Sequence, residues 1–178
     1  MIKIRTVTVF FIAMFIILSI CPLVYAQMDK SLYFQGIRAA KNGELDSAFM
    51  NFKMFLDDFG ESKLAENALF AVGEYYFLTS NYYDAFAAFN RFVKKYPKSK
   101  ARVFALVYLL EIAKRQKNAE LVENLEKEII SSRQVVLLFA ESKEYKYLSA
   151  FLRSHKAIYS IDKVEFYIDD LFFAKVYY

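Results

Sequence analysis

The chain has 178 residues and a formal net charge of +4. Setting aside an N-terminal export leader leaves about 150 residues, enough for one domain with a real core. The leader holds Lys3 and Arg5 and no acidic residue, so the remainder is close to neutral and offers no electrostatic case for binding nucleic acid. Cys21 is the only cysteine, so packing without a disulfide must hold whatever lies beyond it. The chain has 4 Gly and 2 Pro, which leaves little room for flexible linkers, and its 19 Phe and 14 Tyr point to an aromatic core.

Residues 1–26 read as a signal peptide. A short basic start, Met1–Thr6, precedes the apolar run Val7–Ile20, broken only by Thr8 and Ser19. Val24 and Ala26 place small residues where a signal peptidase requires them, so cleavage is expected after Ala26. Two alternatives stay open. Residues 7–24 approach the ~18–20 apolar residues that span a bilayer and would serve uncut as a membrane anchor. Cys21, behind Leu18 and Ser19, would serve as a lipid acceptor, although Ile20 before it and Pro22 after it depart from such a site. Each reading exports the rest of the chain to the periplasm or envelope.

Next comes "SLYFQG", Ser31–Gly36, which looks like a protease site used to remove tags. Sliding the sequence against itself shows that it belongs to a fold. At an offset of 37, Leu32, Tyr33 and Gly36 fall on Leu69, Phe70 and Gly73. Ala48 falls on Ala85, Phe52 and Phe55 on Phe89 and Phe92, Phe59 on Tyr96, and Ser62 on Ser99. The second copy reads Leu69-x2-Val72-Gly73-x2-Tyr76, then Ala85-x3-Phe89, then Pro97. Each copy is expected to be two antiparallel helices, A and B. Gly36 and Gly73 would let helix B cross closely, Ala48 and Ala85 would be the matching small residues, and Pro97 would stop helix B. A helical Gly costs about 1 kcal/mol relative to Ala, so its recurrence implies compensating close packing.

This pattern resembles the tetratricopeptide repeat, lengthened beyond the usual ~34 residues in its turns. The stretch with "YPKS" is similar to repeats of bacterial envelope proteins, the group of the Tol-Pal coordinator (YbgF/CpoB) and the outer-membrane assembly lipoprotein BamD. The resemblance covers Leu32 to about Ala113. It implies an all-α, right-handed superhelix of antiparallel helix pairs. It further implies a non-enzymatic scaffold that binds an envelope protein, in outer-membrane assembly or in Tol-Pal-like coordination.

The expected organisation is a repeat region over 27–131, with copies at 32–68, 69–105 and a degenerate 106–131. In the third copy Leu110 replaces the Gly, and Val122 and Glu126 replace Ala and Phe. Residues 132–178 are expected to be a divergent helical extension. "RQVVLLFAE", "KEYKYLSAFLRSHK" and "SIDKVEFYIDDLFFAKVYY" each read as helical, with Ser160 as N-cap and Asp162 in the first turn of the last. Val135–Phe139 has the composition of a strand, but its setting favours a short buried helix. The apolar end "LFFAKVYY" would cap the stack, meet a partner or drive self-association.

No catalytic constellation stands out. His155 is the single histidine, with no cysteine or second histidine to complete a site, and reads as a surface or capping residue. Asp57–Asp58 and Asp169–Asp170 are sequence neighbours that a helix would point apart. No cofactor and no metal is implied. The basic cluster Arg91, Lys94, Lys95, Lys98, Lys100 and Arg102 complements the end of a B helix, or alternatively meets anionic lipid or an acidic partner. The A helices of such a stack line its concave face, the usual binding groove. The register places Tyr33, Ile37 and Ala40, then Asn67, Phe70, Glu74 and Phe77, then Val107 and Glu111 there, with Phe77 equally readable as core. An aromatic groove with acids suits an apolar or helical partner segment.

Overall fold

The computed structural model describes residues 30–131 and 142–178. The expected signal peptide, the lipid-acceptor candidate Cys21 and the run Val135–Phe139 lie outside the described residues. Among the described residues, six helices and four strands follow one another. Helix α1 covers 30–41. It is followed by α2 (Leu45–Phe59), α3 (Ala65–Leu78), α4 (Tyr82–Lys95), α5 (Arg102–Arg115) and α6 (Ala119–Ser131). Strands β1 (Lys143–Leu148), β2 (Ser154–Tyr159), β3 (Lys163–Ile168) and β4 (Leu171–Tyr177) complete the chain.

The B helices are built by their apolar stripes. On α2, Ala48, Phe49, Phe52, Phe55 and Phe59 are buried; on α4, Ala85, Ala88, Phe89 and Phe92 are buried. These are the i, i+3, i+4, i+7 positions of one helix face. Asn81 caps α4 by accepting the Asp84 N–H at 3.4 Å and donating to the Asp84 carboxylate at 2.7 Å. Pro97 follows directly on the end of α4, as expected.

The repeat is written in the backbone of all three pairs. Gly43, Ser80 and Lys117 occupy the same place in the A-to-B turns and all have positive φ, at 80°, 60° and 56°. The following N–H closes each A helix by reaching back five residues: Glu44 to the Ala39 carbonyl, Asn81 to Tyr76 and Asn118 to Ala113, at 2.9, 2.8 and 3.1 Å. This is the Schellman closure of a helix C-terminus. The third pair keeps it although its side chains have drifted.

The close A–B crossing is as tight as the two glycines imply. A Cβ on Gly36 would stand 2.6 Å from the Phe52 ring, and one on Gly73 would stand 2.8 Å from Phe89. In the third pair the bulk is reversed: Leu110 is fully buried and Glu126 takes the place of the Phe.

Beyond residue 142 the expectation of helices is wrong, and with it an all-α fold. Both "KEYKYLSAFLRSHK" and "SIDKVEFYIDDLFFAKVYY" form strands. They make a four-stranded antiparallel meander in the order β1-β2-β3-β4. The register pairs Tyr147 with His155, Ala157 with Phe166, and Phe166 with Ala174. Burial along β3 alternates residue by residue, with Val164, Phe166 and Ile168 buried. That is the period of a half-buried strand. Asp169 and Asp170, at φ 51° and 61°, form the two-residue turn between β3 and β4, so they are not helix surface. Ser160 does not cap a helix; its N–H bonds the Lys163 carbonyl in the β2–β3 turn at 2.8 Å.

The apolar residues of this segment are used within the molecule. Ala157, Val164, Phe166, Ala174 and Val176 share one core with Phe70, Phe89, Phe104 and Tyr108. Among the described residues, no helix is long and apolar enough to cross a membrane. Gly73→Ala is expected to destabilise the fold by about 1–2 kcal/mol net, overpacking outweighing the gain in helix propensity. The Phe89 ring has no retreat, being stacked on Tyr108 at 4.6 Å. The check is a lower urea midpoint at unchanged slope.

Candidate functional site: the inner helix face and its cover

Of the residues that the repeat register assigns to the inner face, the sheet lies over those of α3: Asn67, Phe70, Glu74 and Phe77. Phe70, Glu74 and Val107 are fully buried, and Tyr33 is buried as well. Ile37, Ala40, Asn67, Phe77 and Glu111 are half-buried. Phe70 meets Tyr147 of β1 and His155 of β2, with ring centres 5.1 and 5.4 Å away. Phe77 meets Phe173 of β4 at 5.8 Å. Asn67 accepts a hydrogen bond from the Tyr147 hydroxyl at 3.3 Å. Glu111 pairs with Lys114 at 3.2 Å. The loop from β1 to β2 reaches the first repeat, where Phe151 packs on Phe52 and Tyr75 at 5.6 and 6.5 Å.

At the centre of the interface is a sealed polar cluster. His155 and Glu74 are both fully buried, so His155 is not the surface or capping residue its sequence setting implies. Nε2 of His155 lies 3.2 Å from Oε1 of Glu74 and 3.1 Å from the Tyr108 hydroxyl. Nδ1 faces the Arg153 carbonyl at 3.1 Å and therefore donates to it. A hydrogen bond between Nε2 and Glu74 then needs one further proton, held between the imidazole and the carboxyl. The Tyr108 hydroxyl also reaches Oε1 of Glu74 at 3.5 Å. Oε2 of Glu74 is buried without a hydrogen-bond partner. Burial, reinforced by the Glu74 charge, pushes the phenols of Tyr108 and Tyr147 far up. Both remain O–H donors at any physiological pH.

These residue types are those of acid–base chemistry, but nothing can reach them while the sheet is docked. Among the described residues, no group of three or more His, Cys, Asp or Glu converges to hold a metal ion. Part of the basic cluster is taken up in pairs. Lys95 donates to the Gly60 carbonyl at 2.9 Å and to Glu61 at 2.8 Å, and Arg102 pairs with Glu128.

A second polar contact ties the sheet's turns together. Arg153 donates to Asp169 at 2.8 Å, and the Ser154 N–H donates to the other carboxylate oxygen at 2.9 Å. Burial by itself would raise the Asp169 carboxyl, but these two bonds outweigh it and hold the group below its ordinary range.

Sequence reasoning missed the residues that meet Asn67, Phe70, Glu74 and Phe77: Tyr108, Tyr147, His155 and Phe173. One signal was available. Helix α5 is apolar nearly all round, with ten buried positions from Val103 to Ala113. A helix of that kind must be covered on every side.

Three stacked helix pairs with one closure geometry define a tetratricopeptide-like helical repeat protein, here carrying a small sheet on its inner face. The model of a family described as "YfiO: Outer membrane lipoprotein" matches residues 25–158, and the chain belongs to that family. The match spans every helix and ends inside β2. No curated protein matches the chain.

A group with a lowered pKa contributes stability above its unfolded value, and that contribution is lost as pH falls through the folded one. The Asp169 contacts are therefore expected to add stability at neutral pH and to lose it in acid. In Arg153→Ala that share of the acid limb should be missing, as measured by urea midpoints from pH 7 to pH 3.

Proposed function

We propose that the protein is an exported scaffold of the outer membrane, holding a protein partner during envelope assembly and performing no catalysis. The observation that carries this reading is the family match across all three helix pairs. The Glu74–His155–Tyr108 cluster gives no support to an enzyme, since its members are sealed under the sheet. The repeat architecture supplies what a scaffold needs: a rigid stack whose neighbouring pairs define an extended surface.

The family description brings Cys21 forward as the point of attachment. It is the one cysteine of the chain, and Leu18 and Ser19 suit a lipoprotein site, while Ile20 and Pro22 depart from one. We read Cys21 as the lipid-bearing N-terminus, with the match beginning just after it at residue 25. An acyl chain with a second membrane signal gives stable anchoring without a spanning helix.

The test is fractionation of the native envelope with mass measurement of the N-terminus. The expected result is an acylated Cys21 in the membrane fraction, and release to the soluble fraction in Cys21→Ser. An unmodified N-terminus at Gln27, in soluble protein, would overturn the anchor and leave a free periplasmic scaffold. Crosslinking in intact envelopes, read by mass spectrometry, tests the scaffold itself. Reproducible crosslinks to outer-membrane assembly proteins are expected, and their absence would overturn that assignment.

A further inference from the structure

The part of the inner face on α3 and α5, where the repeat architecture would seat a partner, is covered by the chain's own sheet. The manner of covering is informative. Among the described residues, the sheet's backbone hydrogen bonds stay within it: strand to strand in the ladders, Ser149 with Arg153 and Leu152, Ser160 with Lys163, Asp169 with Ser154, and Tyr178 with Asp162. The helices, in turn, pack chiefly on their sequence neighbours, α2 on α3, α3 on α4, α4 on α5 and α5 on α6, while α6 also comes close to β4. Each layer thus has its own backbone order, and side chains join the two.

That joint mixes apolar packing with groups that prefer water. Ala157, Val164 and Phe166 are fully buried against the helices and keep the sheet closed. In the same interface Glu74 is fully buried with one carboxylate oxygen unpartnered, relieved only by His155 and Tyr108. A buried pair of this kind gains little over an apolar pair of the same size, whereas breaking it is costly. It therefore fixes where the sheet sits while limiting how tightly it holds.

We propose that the C-terminal sheet is a releasable, autoinhibitory cover, latched by the Glu74–His155 pair, that leaves the inner face of α3 and α5 as one unit. Its release returns Glu74 and His155 to water and uncovers Phe70, Phe77 and Tyr108 for a partner segment. The partner's use of that face rests on the scaffold reading above; the release does not, and it is measured without any partner.

The experiment is native-state hydrogen exchange on the purified protein in stepped, sub-denaturing urea, read by peptide mass spectrometry. The amides of β2 and β3 are expected to lose protection together at a urea concentration where α3 and α4 remain protected. Loss of sheet and helix protection in a single transition would overturn the proposal. His155→Leu, which leaves Glu74 buried without its partner, is expected to lower sheet protection roughly a hundredfold. The double variant Glu74→Leu/His155→Leu is expected to restore it; a double variant as weakly protected as the single one would refute the latch. Should His155→Leu fail to fold, the wild-type profile alone decides whether the cover is a separate unit.

Discussion

The constraint on which the molecule depends is the burial of Tyr108. It sits on α5, which lies between the second helix pair, α6 and the sheet. Its ring stacks on Phe89 at 4.6 Å, faces Phe77 at 4.9 Å and Phe173 at 5.1 Å, and its hydroxyl reaches His155. The same ring thus joins the B helix of one repeat, the A helix of that repeat and two strands. A buried tyrosine needs a partner for its O–H, and here that partner is the cluster bridging helices and sheet. Position along the stack, closure of the inner face and satisfaction of the buried polar groups are all settled at one side chain.

From that centre outward the molecule divides into two kinds of order. The helix pairs are held by short-range packing that recurs: a glycine on A against a phenylalanine on B in the first two, and a left-handed residue closing the turn in all three. The sheet is held by its own ladders and by an aromatic seam with the helices. Repeat proteins commonly protect their exposed ends with a polar capping element. Here the protected surface is the inner face, and the protecting element is β rather than α. The apolar stretch "LFFAKVYY" then needs no second molecule to account for its inward-facing residues, since Ala174 and Val176 are in the core.

This arrangement bears on how a member of an outer-membrane lipoprotein family could work. An open groove is always available, whereas a covered one is available only when the cover moves. Two of the residues the repeat register assigns to partner binding, Phe70 and Glu74, are in contact with the sheet. On the proposed release of the sheet, a partner at this face and the docked sheet would exclude one another, and occupancy of the face would be coupled to the state of the sheet. Function in such a molecule would be set by the difference in free energy between two occupants of one surface, not by the affinity of either alone.

The sequence by itself determined the helical repeats, because their signals are local. Period 3.6, the Gly36/Phe52 and Gly73/Phe89 pairs and the stop at Pro97 each act within one hairpin, and an offset of 37 makes the Gly/Phe pairing visible twice. Only the tertiary structure decided what covers the inner face and what the last residues become. Strand preference is a preference for a pleated, half-buried surface, which exists only once α3 and α5 are in place. In "KVEFYIDDLFF" the alternation of Val164, Phe166 and Ile168 competes with apolar residues at helical spacing, and short apolar runs cannot resolve the two. His155 shows the same limit: nothing beside it in sequence predicts burial, because its partners Glu74 and Tyr108 lie 81 and 47 residues away along the chain. Non-local contacts of that kind enter only when the chain has folded.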